Sequence, residues 1–145
     1  MVEVYTDGSC LGNPGKGGWG AIIKWEDGET QIWGSSTIST NNEMELTAAY
    51  NACKELVKNN IQTATIYTDS TYVKNGITIW IKNWIKNGFQ TANKKEIKNK
   101  NIWKLLYEEN EKINNISWVH VKAHNGDYMN ERVDTIARNA AINQN

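Results

Sequence analysis

The sequence predicts an α/β fold, a five-stranded mixed sheet flanked by helices, in one domain spanning residues 1–145. Three observations point there. Five short runs are rich in β-branched and aromatic residues and alternate in polarity, as strands do. The first three are joined by segments with turn chemistry and no room for a crossover, so they pair antiparallel. A helical periodicity then separates the third run from the fourth, and a helix that crosses back to a strand allows parallel pairing with the first.

The first run is Val2-Glu3-Val4-Tyr5-Thr6-Asp7, which ends just before small turn residues. A glycine-rich turn from Gly12 to Gly18 follows, and alternation from Trp19 to Trp25 marks the second strand. Asp27-Gly28 is a hairpin signal leading into Gln31 to Thr37. Asn41 or Asn42 is suited to cap a helix running to about Lys58, with Leu46, Ala49, Tyr50, Cys53, Leu56 and Val57 at helical spacing. The strand Ala64 to Thr68 comes next, and a helix after Ser70 carries Tyr72 and Val73 toward Gly76. Ile77, Ile81, Trp84 and Ile85 share one side of the following stretch, closed by Gly88. After a basic loop from Phe89 to Lys98, the residues Ile102, Leu105, Leu106 and Ile113 define another amphipathic helix. Asn114-Asn115 turns into the strand Ile116 to Val121. A loop from Lys122 to Met129 precedes the last helix, Asn130 to Ile142, with Val133, Ile136, Ala137 and Ala140 inward.

At 145 residues the chain fits a single domain with a real core. No apolar run approaches the roughly 20 residues of a membrane span, and the first residues lack signal-peptide character. A cytoplasmic protein with no membrane association is expected. Cys10 and Cys53 have no metal-ligand spacing and read as structural thiols in a reducing compartment. Sixteen basic residues balance sixteen acidic ones, which argues against nucleic-acid binding by the surface as a whole. The distribution is uneven, however. Between Trp80 and Lys100 stand Lys82, Lys86, Lys94, Lys95, Lys98 and Lys100 against only Glu96. Only Arg132 and Arg138 are arginines, so the positive charge suits point contacts to phosphate better than bidentate reading of bases.

The acids carry the chemistry. Tyr-Thr-Asp occurs twice, at Tyr5-Thr6-Asp7 and Tyr67-Thr68-Asp69, each time on a strand. If the strands are neighbours, two carboxylates stand a few ångströms apart and repel by about 4 kcal/mol at an effective dielectric of about 20. That repulsion calls for a proton or a hard divalent cation with oxygen ligands. Glu45, one turn into the first long helix, and Asp134, on the last helix beside Val133 and Ala137, both fall at the edge of a buried stripe. Four acids from two strands and two helices can converge at one end of the sheet, where open α/β sheets place their sites. Their charge is about what two Mg²⁺ ions would neutralise.

Five motifs together carry a resemblance: Tyr5-Thr6-Asp7-Gly8-Ser9, Gly12-Asn13-Pro14-Gly15, Asn41-Asn42-Glu43-Met44-Glu45-Leu46, Tyr67-Thr68-Asp69-Ser70 and Asn130-Glu131-Arg132-Val133-Asp134. In this order and at near-family spacing, over essentially the whole chain, they resemble type I ribonuclease H of the bacterial kind with a basic protrusion. The resemblance implies a ribonuclease H-like fold and hydrolysis of the RNA strand of an RNA/DNA hybrid. It implies that Asp7, Glu45, Asp69 and Asp134 are the metal-binding catalytic carboxylates. Two Mg²⁺ ions, with Mn²⁺ able to substitute, would leave a 5′-phosphate and a 3′-hydroxyl. His124, in the loop Lys122-Ala123-His124-Asn125-Gly126-Asp127, matches the family's mobile histidine, with a role in water activation or product release. His120, on a strand, is expected to be structural.

The same resemblance assigns substrate contacts. Gly12 lets the backbone approach closely. Asn13, Asn41 and Asn42 offer amides to sugars and minor-groove edges, where the 2′-hydroxyl distinguishes RNA from DNA, and Thr40 falls where the family holds a DNA phosphate. Trp80, Trp84 and Phe89 interleaved with Lys82, Lys86, Lys94, Lys95 and Lys98 resemble the protrusion that grips the DNA strand, with Trp84 expected to pack inside. The expected partner is the hybrid duplex, met by a monomer with no obligate protein partner. Thr71, Asn87, Phe89 and Gln90 depart from common family choices, which weakens one minor-groove contact and the grip of the protrusion. Two other readings share part of the pattern: a protein that binds hybrids without cutting, disfavoured by the full set of acids, and a DNA nuclease of the wider superfamily, disfavoured by the helix start and the basic protrusion. If about four lysines engage phosphates, the logarithm of affinity for the hybrid should fall against the logarithm of salt with a slope of roughly −3 to −4. A salt titration with a flat response would contradict that grip.

Overall fold

The computed structural model describes residues 1–91, 93–122 and 127–144. Three long antiparallel strands come first: β1 (Val2–Leu11), β2 (Gly15–Trp25) and β3 (Gly28–Ser39). Helix α1 (Asn41–Lys58) leads to β4 (Thr63–Thr68). Then α2 (Thr71–Asn75), a wide π-helical turn at Gly76–Trp80 and α3 (Ile81–Lys86) run on without a break. Helix α4 (Lys100–Glu111), β5 (Asn115–His120) and α5 (Tyr128–Ile142) complete the order. The sheet order is β3-β2-β1-β4-β5, with β4 parallel to β1 and β5 parallel to β4. This is the mixed sheet that the alternation and turn signals predict. No helix of the described residues is long and apolar enough to cross a membrane.

Several boundaries differ from expectation, each for a local reason. The first strand does not end at Asp7, because Gly8, Ser9 and Cys10 go on pairing with Trp19, Gly18 and Gly17. Asp7 is therefore held in mid-strand, and the turn shrinks to Gly12-Asn13-Pro14. The small residues that read as a turn serve a close approach instead. A Cβ on Gly8 would collide with the backbone of Met44 and Glu45 in α1, so glycine lets that helix lie against β1. Neither Asn41 nor Asn42 caps α1. Thr40 does, from an extended backbone, its hydroxyl accepting from the Glu43 N–H at 3.2 Å. The Asn41 N–H is instead satisfied by Asn13 Oδ1 at 3.1 Å, which ties the turn after β1 to the start of the helix.

The main core lies between the sheet and the helices on one of its faces. Val2, Val4, Ile23, Leu46, Ala49, Cys53, Leu56 and Ile66 are all buried in it. Both cysteines are free. Trp103, absent from the expected stripe of α4, is fully buried, and its indole N–H donates to the Tyr72 hydroxyl at 3.1 Å. Its size sets the phase of α4, with Leu106 one turn on, and Leu105 is turned outward. Ile85, also expected inside, is exposed for the same kind of reason: Trp84 takes the inner position against Trp103, their ring centroids 5.1 Å apart.

Helix α5 covers the opposite face above β2, where glycine is again required by close approach. A Cβ on Gly18 would meet the carbonyl of Ala137 and the backbone of Ala140 and Ala141. Gly18→Ala should force α5 off the sheet and lower stability by about 1–3 kcal/mol. Gly28→Ala, at a position with nothing within 4 Å of the added carbon, should change it by under about 0.5 kcal/mol. Urea unfolding of the two variants tests this; equal midpoints would contradict the tight helix–sheet contact.

Candidate active site

The repeated tripeptide becomes a pair of neighbours. In the parallel register of β1 and β4, Tyr5 pairs with Tyr67 and Thr6 with Thr68. The two tyrosine rings stack with centroids 4.9 Å apart and planes 12° from parallel. Asp7 and Asp69 are the next residues on each chain, so register and stacking deliver both carboxylates to one place. The bare backbone of Gly8 admits α1, and with it Glu45. One carboxylate oxygen from each of Asp7, Glu45 and Asp69 lies within 4.8 Å of the others.

The surroundings are hostile to so much negative charge. Asp7 is 3% exposed. Burial, then the charge of Asp69, then the facing carboxylate of Asp134 push its pKa up to about 8. Burial, followed by the charges of Asp7 and Asp69, raises Glu45 well above the usual carboxyl range. The protein supplies few donors. The Gly8 N–H reaches Asp7 Oδ1 at 2.9 Å, while Glu45 Oε1 and Asp69 Oδ1 are buried with no hydrogen-bond partner. Buried carboxylate oxygens without donors, converging at this spacing, suit a hard divalent cation with oxygen ligands.

Asp134 stands at the flank of this trio and outside it. It faces Asp7, but its Oδ2 accepts from Arg138, one turn further along α5. The expected convergence of four acids is thus a trio with a fourth member held at its edge. His124 lies outside the described residues. His120, expected to be structural, is exposed at the end of β5, with Nε2 3.2 Å from the carbonyl oxygen of Asp69. That contact steadies the backbone where β4 gives way to Asp69.

The residues assigned to substrate lie on two surfaces. Gly12, Asn13, Thr40, Asn41 and Asn42 are all exposed and gather where the β1–β2 turn meets the start of α1. Lys82, Lys86, Lys94, Lys95 and Lys98 are exposed on α3 and the loop after it. Trp80 is 36% exposed and packs edge-on to Tyr72. Phe89, expected as an outward platform, is buried: a left-handed backbone at Gly88 and Phe89 turns the ring inward, with Lys104 Nζ 5.2 Å from its centre. The aromatic chain Trp80–Trp84–Trp103 anchors the base of the basic segment to the core. Trp103 lies beyond the motifs, and helical periodicity that counts only aliphatic residues passes over it.

Comparison with known proteins bears on the family and the fold. The RNase H family model matches residues 1–142. A ribonuclease H of Hyphomonas neptunium is 49% identical over 138 residues, covering 95% of this chain and 90% of that protein. The crystal structure of LC9-RNase H1, a type 1 RNase H with the type 2 active-site motif, superposes with a TM-score of 0.89 at 28% identity, over 99% of this chain and 73% of its own. The foamy viral protease-reverse transcriptase in complex with an RNA/DNA hybrid matches with a TM-score of 0.82 at 26% identity, over 97% of this chain and 20% of that one.

The raised pKa of Asp7 has a consequence for stability. Between the ordinary carboxyl value and about 8, the folded protein keeps a proton that the unfolded chain has released. Stability is therefore lost as pH rises through that window. Asp7→Asn removes this loss. Without divalent ions, the variant and the parent should unfold alike near pH 4, and the variant should be more stable at pH 8 to 9 by on the order of 2–5 kcal/mol, at about 1.4 kcal/mol per pKa unit. A gap that does not widen with pH in thermal unfolding would contradict the buried repulsion.

Proposed function

The chain belongs to the ribonuclease H family, a family of endoribonucleases, and from that premise we propose that it hydrolyses the RNA strand of RNA/DNA hybrids, with two Mg²⁺ ions as its cofactors and little sequence preference. The observation that carries this reading is the buried trio Asp7, Glu45 and Asp69 with two carboxylate oxygens left without donors. Asp7, Glu45 and Asp69 would hold the metals, with Asp134, now paired with Arg138, as the fourth ligand. Bound there, divalent ions supply Lewis-acid stabilisation of phosphoryl charge and acidify water, leaving 5′-phosphate and 3′-hydroxyl ends. Mn²⁺ has the same preference for oxygen and can substitute.

The protein's own part is placement. Asp7 is fixed in mid-strand by β2 and β4, Glu45 by a capped helix pressed on Gly8, and Asp69 by the end of β4 and its contact with His120. His124, by family likeness, serves water activation or product release. Gly12, Asn13, Asn41 and Asn42 meet the minor groove, where only sugar hydroxyls and helix shape separate RNA from DNA. Thr40, Trp80 and the five lysines hold the DNA strand by its phosphates. On this reading residues 1–145 form a single catalytic domain that acts as a cytoplasmic monomer.

Incubating labelled hybrid, duplex RNA and duplex DNA with the protein in Mg²⁺, in Mn²⁺ and in EDTA, and mapping product ends, tests the reading. Cleavage should be confined to the RNA of the hybrid and vanish in EDTA; cutting of duplex DNA alone would overturn it. Asp7→Asn should abolish turnover with the far-ultraviolet circular dichroism unchanged. The double variant Lys94→Ala, Lys95→Ala should raise KM far more than it lowers kcat. It should also flatten the salt slope of binding by about 2, since each lost phosphate contact removes about 0.9. An unaltered slope would remove these lysines from the interface.

A further inference from the structure

The cross-strand register places a second aromatic feature in line with the carboxylates. Asp7 pairs with Gly20, and Gly20 pairs with Trp33 of the edge strand β3, so Trp33 shares both row and sheet face with Asp7. Two strand spacings, about 10 Å, separate them. Ile136 of α5 sits over Gly20 between the two. Trp33 is 61% exposed, and no aromatic ring among the described residues packs on it. It walls a cavity of about 430 Å³ between β3 and α5, well within the range of small-molecule sites.

The rest of the lining is specific in character. Ile136 and Ala140 give the cavity an apolar floor, while Gln31, Asn139 and Asn143 set three amide side chains around it. An amide offers a donor and an acceptor on one group, which matches the edge of a planar heterocycle that carries both. A charged end adjoins it. Along β3 the row beyond Gln31 pairs Glu29 with Lys24, which pairs in turn with Glu3 of β1, and Arg132, one turn before Ile136 on α5, is bound to Glu29. Two cations face two acids there, so this end is polar and balanced in charge. An indole face for stacking and amides at the rim are the ingredients of nucleobase recognition. An apolar side chain of a peptide would use the indole and leave the three amides unanswered.

We propose that the cavity between β3 and α5 binds an unpaired nucleobase, stacked on Trp33 with its edge read by Gln31, Asn139 and Asn143. The base has two sources, a free nucleotide or the single strand that continues beyond a hybrid. The site is separate from the carboxylates and can be tested without cleavage. In EDTA, the protein is titrated with AMP, and in parallel with a blunt hybrid and the same hybrid bearing a short single-stranded RNA overhang, following the Trp33 indole N–H and the backbone amides of Ile136 and Ala140 by NMR.

AMP should move these resonances, or the overhang should bind more tightly than the blunt end and move them; the first result assigns the free nucleotide and the second the strand. Trp33→Ala and Asn139→Ala should each weaken that binding by roughly fivefold or more, with cleavage of blunt hybrid in Mg²⁺ unchanged. Phenyl phosphate, which has a ring and a phosphate but no hydrogen-bonding edge, should bind more weakly than AMP. The proposal is overturned if neither probe shifts the Trp33 resonance, if both variants bind as the parent does, or if AMP binds and phenyl phosphate binds as tightly. Because every binding arm excludes divalent metal, these outcomes are distinct from failure of the hybrid-cleavage reading.

Discussion

Mutual repulsion among buried carboxylates is the constraint to which the rest of this structure answers. Asp7, Glu45 and Asp69 bring donor oxygens within 4.8 Å of one another in a setting that pushes Asp7 up to about 8. Left to itself such a cluster would spread apart or open to water. It is held by parts of the fold that have no charge of their own. Parallel pairing of β1 and β4 fixes the two aspartates side by side, and the stacked Tyr5–Tyr67 pair resists any slip of that register. A one-residue slip would turn every side chain to the other face of the sheet.

The third carboxylate depends on different physics. Glu45 reaches the site because Gly8 has no Cβ, because Thr40 caps the helix that carries it, and because Met44, Leu46 and Ala49 bury the inner face of that helix. Packing energy gained over the length of α1 thereby offsets electrostatic cost at its first turn. Asp134 follows the same logic on the other side of the sheet. Small residues in β2 let α5 settle directly on the strands, and its carboxylate, shared with Arg138, waits at the rim. Two glycine contacts on opposite faces of the sheet thus decide where two acids of the site can be.

Much of this was legible in the residues themselves. Alternation and turn chemistry mark all five strands and the antiparallel run of the first three, a helix crossing back allows the fourth to run parallel to the first, and the doubled Tyr-Thr-Asp pointed to two carboxylates side by side if those strands were neighbours. What escaped was set by tertiary contact. Gly8 and Ser9 look like a turn because small residues favour turns, yet both continue the strand and Gly8 permits a helix to approach it. Thr40 was placed by family likeness as a phosphate contact, and its role as the helix cap depends on a backbone angle that no spacing encodes. Trp103 displaced Leu105 from the core because a single large ring filled the space under Gly76 and Tyr72. Likewise the pairing of Asp134 with Arg138 is a choice of rotamer among partners, which a list of acids cannot resolve.

The zero net charge of the chain is a poor guide to what it can bind, and the fold shows why. The exposed lysines of α3 and the following loop and the buried acids at the β1–β4 junction belong to different elements and different dielectric settings. Charges in water act over about 8 Å at physiological salt, whereas buried ones are screened far less. A polyanion approaching the lysines therefore meets a local cationic surface, and meets the acidic centre only after docking. At that point the buried acids would repel a phosphate unless cations stand between them. Under the proposed function, the carboxylates would be neutralised by the divalent ions they hold, so that the scissile phosphate could enter without repulsion, while the lysines would set how long the duplex stays. Affinity and chemistry are then governed by separate groups of residues, which is what allows a neutral protein to hold a nucleic acid against an anionic core.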